Sequence, residues 1–270
     1  MATNSEYLET NRRHWDELVP LHMRTKFYDV EGFRAGGSSL HDLETDEVGD
    51  VQGKSLLHLQ CHFGLDTLSW ARHGAKVTGV DFSHAAVEAA QRLAAECAIE
   101  ARFVESDIYL LPQKLDEQFD IVFTSYGVVF WHPDVRRWAK VCAQFVKPGG
   151  CFYIAEFHPF CTVFHNEGRE SGLEIRYPYF EGEAIRLEDG TYADREAKVE
   201  NKVTYSWPFT LGGVVSSLVD AGLSIEFLHE HPYTVEQFWP LMEEVAPRKW
   251  ALRRYGESIP LLFSLRARKD

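Results

Sequence analysis

A strand–turn–helix–strand unit that ends on an acid constrains the fold of this chain more than any other stretch. Its pieces follow one another without spare residues, at 55–60, 61–64, 65–73, 76–80 and Asp81. Both strands are short apolar runs, as in sheets buried on both faces. Such a unit binds an adenosine-containing cofactor, because the turn admits ligand atoms to the helix N-terminus and the acid accepts hydrogen bonds from ribose hydroxyls.

The residues of the turn indicate which adenosine-containing cofactor can bind. It reads Gln60-Cys61-His62-Phe63-Gly64 and holds one glycine, whereas a dinucleotide fold needs three glycines for a pyrophosphate to lie on the loop. A nicotinamide-dependent oxidoreductase is therefore an alternative that the turn disfavours. The spacing from Gln60 to Asp81 still matches the roughly 20 residues expected between such a turn and its acid.

Three later motifs continue the alternation of strands and helices. A third predicted strand at 101–106 ends in Asp107-Ile108, and a fourth begins at Phe119 and reaches Tyr126. A helix with a strong apolar stripe then ends at Lys147-Pro148-Gly149-Gly150, which precedes the apolar strand 151–155. Ligands in open α/β sheets bind beyond the carboxyl ends of the strands, so these strand ends predict the site.

Over about 54–157 these motifs resemble the class I S-adenosylmethionine-dependent methyltransferases that act on small molecules. The resemblance implies an α/β fold: a Rossmann-like, doubly wound, seven-stranded sheet with one antiparallel strand. It implies S-adenosylmethionine as the cofactor. The first motif departs from the family, which has an acid and three glycines where this chain has His58, Gln60, His62 and Gly64.

The resemblance also implies the roles of single residues. Asp81 would bind the ribose, Asp107 would accept a hydrogen bond from the adenine amino group, and Ile108 would pack on the ring. The strand end at Ser125 and Tyr126 would lie beside the sulfonium. The expected cofactor-binding residues are Gln60, Cys61, His62, Gly64, Asp81, Phe82, Asp107, Ile108, Ser125, Tyr126, Trp131 and Trp15.

The remaining sequence completes a single domain of 1–270. We expect an N-terminal helical lid region at 1–50, a cofactor-binding core at 51–157, an inserted antiparallel β segment at 158–209, and the rest of the sheet at 210–270. Within the lid region the pattern predicts a helix over 5–24 and a loop over 29–50. Aromatic and histidine side chains there are candidates for closing the site, namely Trp15, His22, Phe27 and Tyr28; the alternative is that Trp15 packs on the sheet like any aromatic of an amphipathic helix.

A general base is needed only if the acceptor is protonated at the working pH. His158 is the first candidate because it follows the fifth strand on the cofactor side, and Tyr126 is the second catalytic candidate. The alternative is that His158-Pro159 simply shapes a turn. The other candidates for the base are His132, His22, His231 and Glu156.

We expect no metal. His58 and His62, with Cys61 between them, resemble a ligand spacing, but a buried strand offers no open coordination shell and no fourth ligand is evident.

Composition excludes several partners. The formal net charge of −13 disfavours nucleic acid, and no apolar run approaches the roughly 20 residues of a membrane span. The polar N-terminus and five cysteines predict a cytoplasmic protein with reduced thiols. The expected partner is a small molecule, and the inserted segment could pair two subunits as a homodimer.

The sequence predicts methyl transfer from S-adenosylmethionine to O, N or S of a small-molecule acceptor. The irregular first motif keeps open a second alternative besides the oxidoreductase: a cofactor-binding protein without transfer activity.

Overall fold

The computed structural model describes residues 4–164, 172–188, 190–194, 196–255 and 258–270. Its α-helices are α1 (Asn4–His22), α2 (Val30–Arg34), α3 (Asp42–Val48), α4 (Leu65–Arg72), α5 (His84–Glu96), α6 (Val135–Phe145) and α7 (Leu211–Asp220). Its strands are β1 (Ser55–Leu59), β2 (Lys76–Asp81), β3 (Arg102–Glu105), β4 (Phe119–Ser125), β5 (Val146–Phe157), β6 (Ile185–Glu188), β7 (Val203–Ser206), β8 (Leu223–His231), β9 (Tyr233–Thr234), β10 (Glu243–Ala246), β11 (Lys249–Ala251) and β12 (Leu262–Lys269).

A seven-stranded sheet with the order β3-β2-β1-β4-β5-β12-β8 forms the centre of the molecule. Strand β12 runs antiparallel to both of its neighbours, and the other pairs are parallel. The predicted Rossmann-like sheet with one antiparallel strand is thereby confirmed. The strand order reverses between β1 and β4, so their carboxyl ends open a crevice at the switch point, where such sheets bind ligands.

Helices cover both faces because each carries one apolar stripe. On one face α5 packs with α4 and with Val19 and Phe33 of the N-terminal region, and on the other face α6 and α7 pack on β4 and β5. As expected, Ser83 begins α5: its hydroxyl accepts a hydrogen bond from the Ala86 N–H at 3.1 Å. Within the described residues, no helix is both long and apolar enough to cross a bilayer.

The prediction of a loop over 29–50 is wrong, because two short helices form there. Asp29 caps α2 by accepting a hydrogen bond from the Gly32 N–H at 3.1 Å. The Glu44 carboxylate accepts from the His41 N–H at 3.0 Å at the start of α3. These local bonds give partners to backbone N–H groups at the starts of the two helices. The glycine-rich and serine-rich sequence did not suggest helices there. Helix α1 ends at His22, with Pro20 inside its last turn rather than at its end.

The inserted segment is partly as predicted. An antiparallel pair forms between β6 and β7, and an isolated antiparallel bridge joins Phe164 to Ile175. A small sheet of β9, β10 and β11 was not predicted.

Close packing of β2 on β3 requires glycine at position 79. A Cβ atom on Gly79 would lie 2.7 Å from Phe103 Cδ1 and 2.9 Å from Cys61 Sγ. Because residue 79 has no side chain, Cys61 of the turn packs directly against the backbone of β2. We therefore expect Gly79→Ala to lower the free energy of unfolding by about 1–3 kcal/mol through overpacking, measured by urea denaturation.

Gly212→Ala is the matched control, because Gly212 lies in α7 with open space around its Cα. Replacing a glycine inside a helix by alanine raises the free energy of unfolding by about 0.5–1 kcal/mol. Equal effects of the two substitutions would contradict the packing argument.

Candidate active site

Left-handed backbone shapes the turn between β1 and α4. The φ angles are 54° at Gln60, 49° at His62 and 81° at Gly64. Two of these residues are not glycine, and strained backbone of this kind clusters at functional sites. The Cys61 N–H donates to the Val80 carbonyl at 2.9 Å, so the turn is held against the end of β2.

Side chains on either side of this turn are occupied by the protein. The Gln60 amide oxygen accepts from Trp138 Nε1 at 3.1 Å and from His132 Nε2, and its nitrogen donates to Thr124 Oγ1 at 3.2 Å. Because these partners use the Gln60 amide, the contribution of Gln60 to a ligand falls to its backbone. Its role in holding a methionine group stays a prediction.

Asp81 is the last residue of β2, and Asp107 follows the end of the adjacent strand β3 by two residues. The Asp81 carboxylate accepts hydrogen bonds from the His62 N–H at 2.8 Å and the Ser83 N–H at 2.9 Å. A carboxylate offers about four acceptor sites, so two remain. Burial raises the pKa of Asp81 to about 6, against the effect of these backbone donors. Asp107 accepts from the Tyr109 N–H at 2.7 Å through one oxygen, and the adjacent Ile108 is buried in the core.

The loop after β4 is wrapped around one buried carboxylate. Glu156 accepts hydrogen bonds from the backbone N–H groups of four residues, at 2.5–2.9 Å, namely Gly127, Val128, Val129 and Phe157. Glu156 is fully buried, and burial raises its pKa although the four donors oppose the shift. The carboxylate thereby orients Tyr126 and Trp131 on either side of this loop.

The N-terminal helix lies over the turn. The Trp15 ring meets the edges of His62 and Trp131, with centroids 5.3 and 5.5 Å apart. His22 Nδ1 lies 2.9 Å from His62 Nε2, and His22 Nε2 lies 2.8 Å from Thr191 Oγ1. Burial lowers the pKa of His22 to about 3, so the two rings share a neutral hydrogen bond. The structure therefore brings Trp15 and His22 to the cofactor turn.

Helix α1 is also bound to the inserted segment, which sequence reasoning missed. Asn11 Nδ2 donates to the Tyr205 carbonyl at 2.7 Å, and the Tyr205 N–H donates back to Asn11 Oδ1 at 2.8 Å. The Glu17 carboxylate accepts from the N–H groups of Glu200 and Asn201 at 2.6 and 2.8 Å. Helix α1 and this part of the insertion form one cap over the turn.

Two histidines named as candidates for the base, His158 and His231, are bound to other parts of the protein. His158 Nδ1 accepts from the Phe160 N–H at 3.1 Å, and His158 Nε2 lies 3.0 Å from Glu230 on β8. Burial lowers the pKa of His158, while Glu230 opposes that shift. His231 lies 3.3 Å from Ser264 Oγ. His158 thus contacts β8, and His231, the last residue of β8, contacts β12. Their catalytic role stays a prediction.

A polar cluster at the end of β4 was not anticipated from the sequence. The Tyr126 hydroxyl donates to Glu44 Oε2 at 2.6 Å. Asp66 accepts from Ser39 Oγ at 2.6 Å and from Ser125 Oγ at 3.3 Å. Burial and the charge of Asp66 raise the pKa of Glu44 to about 8. Glu44 was not a candidate because the sequence predicted a loop over 29–50, and only tertiary packing buries its side chain.

His58 and His62, whose spacing resembles that of metal ligands, have partners within the protein. His58 Nδ1 lies 2.8 Å from Thr67 Oγ1 of α4, and His62 is paired with His22. Among the described residues, no group of three or more histidine, cysteine, aspartate or glutamate side chains is arranged to hold a metal ion.

Comparison with known proteins agrees with this geometry. Residues 56–150 match the family model of a methyltransferase domain. These residues are similar to the methyltransferase domain family, and they make up less than half of the chain. The matched domain spans β1 to the start of β5, with the turn, Asp81, Asp107 and the end of β4 inside it.

The curated relatives match part of this chain. The chain is similar to the ubiquinone biosynthesis O-methyltransferase of Salmonella newport, 35% identical over 141 residues, which are 51% of this chain and 53% of the relative. The chain thus spans about half the length of the curated relatives it matches.

Solved structures share the fold. An S-adenosylmethionine-dependent methyltransferase from Mesorhizobium loti has a TM-score of 0.58 at 20% identity, covering 87% of this chain and 100% of that one. The glycopeptide N-methyltransferase MtfA, complexed with S-adenosylmethionine, has a TM-score of 0.54 at 15% identity, covering 91% of this chain and 95% of that one. The resemblance of the methyltransferase domain to class I enzymes is confirmed in family and fold.

The buried Glu44 carboxyl makes stability depend on pH. Its pKa is raised from the unfolded value to about 8 in the folded protein, so its stabilising contribution is present below about pH 4 and is lost as the pH rises through about 8. We expect Glu44→Gln to unfold at a temperature at least 2–4 °C above wild type at pH 9, equivalent to about 1 kcal/mol.

The difference should shrink or reverse at pH 5, where wild-type Glu44 is protonated. Differential scanning calorimetry from pH 5 to 9 measures it. A constant difference between the two proteins across this range would show that Glu44 does not titrate as argued.

Proposed function

We propose that this protein transfers a methyl group from S-adenosylmethionine to oxygen, nitrogen or sulfur of a small-molecule acceptor. The observation that carries the proposal is the pair of carboxylates, Asp81 and Asp107, on adjacent strand ends that flank the left-handed turn. Two acids so placed suit the two hydrogen-bonding parts of one nucleoside, its ribose and its base.

The residues present fit this cofactor. Asp81 keeps two acceptor sites beyond its backbone donors, and only one oxygen of Asp107 accepts a hydrogen bond among the described residues. The rings of Trp15, Trp131 and His62 meet beside the turn and suit a cationic group. When bound, the cofactor supplies an electrophilic methyl group on a sulfonium, so that positioning of the acceptor and exclusion of water are the main tasks of the protein.

Aromatic side chains near Tyr126 support a partly apolar small acceptor. Phe157 has its ring centroid 6.0 Å from that of Tyr126, and Phe238 lies edge-on to Phe157 at 4.5 Å. Apolar walls with a few polar groups are typical of small-molecule sites. Because the relatives named above include an O-methyltransferase and an N-methyltransferase, the acceptor atom stays open among oxygen, nitrogen and sulfur.

We propose Tyr126 rather than His158 for contact with the acceptor. Tyr126 follows β4 at the switch point, whereas the His158 ring contacts its own turn and Glu230 on β8. The remaining expected contacts at Cys61, Gly64 and Phe82 belong to the same strand ends and are part of the proposal.

Location and assembly are also proposed. The charge and cysteine content support a cytoplasmic location. We also propose a single domain over 1–270, with the four regions expected from the sequence. Ile175 and Phe180 on the inserted segment are 72% and 74% exposed, which supports a homodimer joined through that segment. Sedimentation of wild type and of Phe180→Ser tests the dimer.

Neutralising the two acids tests the cofactor site. We expect Asp81→Asn and Asp107→Asn each to weaken S-adenosylhomocysteine binding about tenfold or more, since a hydrogen bond to a charged group contributes about 1.5–3 kcal/mol. Isothermal titration calorimetry gives the affinities. Glu105→Gln is the matched control, because Glu105 pairs in register with Asp81 but is exposed and contacts His84.

A panel of phenols, amines and thiols with methyl-labelled S-adenosylmethionine then tests transfer. Unchanged affinity in the Asp81→Asn/Asp107→Asn variant would refute the cofactor site. Tight cofactor binding without transfer to any acceptor would favour a binding protein, and binding of NADH instead would favour the oxidoreductase.

A further inference from the structure

We propose that Tyr126 is the catalytic residue that takes the proton from the acceptor, and that Glu44 positions Tyr126 and receives the proton through its hydroxyl. This inference rests on the proposed function and deepens it. It replaces a lone histidine base by a phenol–carboxylate pair assembled from the end of β4 and helix α3.

The backbone fixes Tyr126 at the switch point. It follows the last residue of β4, has a φ of 44°, and donates its N–H to the Ala155 carbonyl at 2.8 Å. The next residue is held by Glu156 and packs on Phe157, which a Cβ on Gly127 would approach to 3.2 Å. A non-glycine residue in the left-handed region so tightly held is strained backbone, which marks functional sites.

Glu44 is placed so that Tyr126 is its main side-chain partner. Its Oε1 accepts the His41 N–H at 3.0 Å and its Oε2 accepts the Tyr126 hydroxyl at 2.6 Å. The side chain is fully buried. A phenol that donates to a carboxylate keeps its own lone pairs for a second hydrogen bond, so Tyr126 can accept from an acceptor O–H or N–H while it donates to Glu44.

Burial and the charge of Asp66 make Glu44 a proton acceptor as the pH rises through about 8. Several titratable or charged groups surround the Glu44–Tyr126 pair and its neighbours His41, Tyr153 and Tyr233. These groups are Asp66, Glu47, Arg248 and Lys249. Burial and Asp66 raise the pKa of Glu44 to about 8, a value at which a general base is both available and strong enough. The sulfonium cation of a cofactor bound at the end of β4 would favour the carboxylate form of Glu44 further.

The proton transfers balance as follows. The acceptor proton moves to the Tyr126 oxygen while the Tyr126 proton moves to Glu44 Oε2, so the phenol is regenerated. The acceptor electron pair forms the bond to the methyl carbon, and the electron pair of the broken carbon–sulfur bond stays on sulfur. Glu44 afterwards releases its proton to water, and no oxidant or reductant is needed.

A second tyrosine–glutamate pair in the same region separates a catalytic role from a structural one. The Tyr153 hydroxyl donates to Glu47 Oε2 at 2.8 Å, and Glu47 also lies on α3. Tyr153, however, is fully buried inside β5, and His229 Nδ1 contacts the same carboxylate at 2.8 Å. The two pairs share their chemistry and differ in their access to the strand ends.

The test measures kcat/KM from pH 6 to 10 for Tyr126→Phe, Glu44→Gln and Tyr153→Phe. The acceptor is the most active member of the phenol, amine and thiol panel that remains protonated at pH 8. We expect the wild-type rate to rise with pH through an apparent pKa of about 8. Tyr126→Phe and Glu44→Gln should each lower kcat about 100-fold or more and remove this rise, whereas S-adenosylhomocysteine affinity stays within about threefold of wild type.

Tyr153→Phe should keep the wild-type profile and at least one third of its rate. The double variant Tyr126→Phe/Glu44→Gln should lose little beyond either single change, as expected for two residues of one relay. A retained pH profile in either single variant, or an equal loss in Tyr153→Phe, would overturn the relay and leave the proposed function standing. Wild-type protein that binds the cofactor but methylates nothing overturns both.

Discussion

Backbone N–H donors on buried carboxylates set the shape of the whole functional edge of the sheet. Glu156 accepts four of them, Asp81 accepts two and Glu44 accepts one. An ionised acid buried without such donors costs several kcal/mol, so each acid holds its loop in one conformation. Their remaining capacity differs: Glu156 is saturated and structural, Asp81 has room for a ligand, and Glu44 is completed by a phenol.

Hydrogen bonds to surrounding groups also explain how a turn with one glycine keeps its conformation. Residues with a Cβ in the left-handed region cost about 1–3 kcal/mol each unless their surroundings hold them. Gln60 is held by partners from β4 and α6, and His62 by His22 and by its N–H bond to Asp81. The side chains that replace the glycines are therefore part of the site, since they connect the turn to the loop after β4 and to the cap.

Local pattern was enough to predict the central sheet but not the cluster at Glu44. Strands β1, β2 and β4 are continuous apolar runs, and Ser83 begins α5 in a way that depends on neighbours in sequence. Helix α3 is short, and Glu44 is 82 positions from Tyr126 in the chain, so only the tertiary fold brings them together. The bonds of α1 to the insertion are equally non-local, with 194 positions between Asn11 and Tyr205.

The cap links access to the turn with the order of the insertion. Asn11, Glu17 and His22 on α1 all bind residues of the insertion, and the His62 ring contacts His22, Trp15 and Tyr28 of the N-terminal region. Exposing the turn means either moving both parts of the cap together or breaking these bonds. Because Asn11 and His22 are buried, the loss of their bonds leaves buried polar atoms without partners, and joint movement costs less. The part of the insertion that begins at Thr191 is thereby coupled to a turn that precedes it by more than a hundred residues.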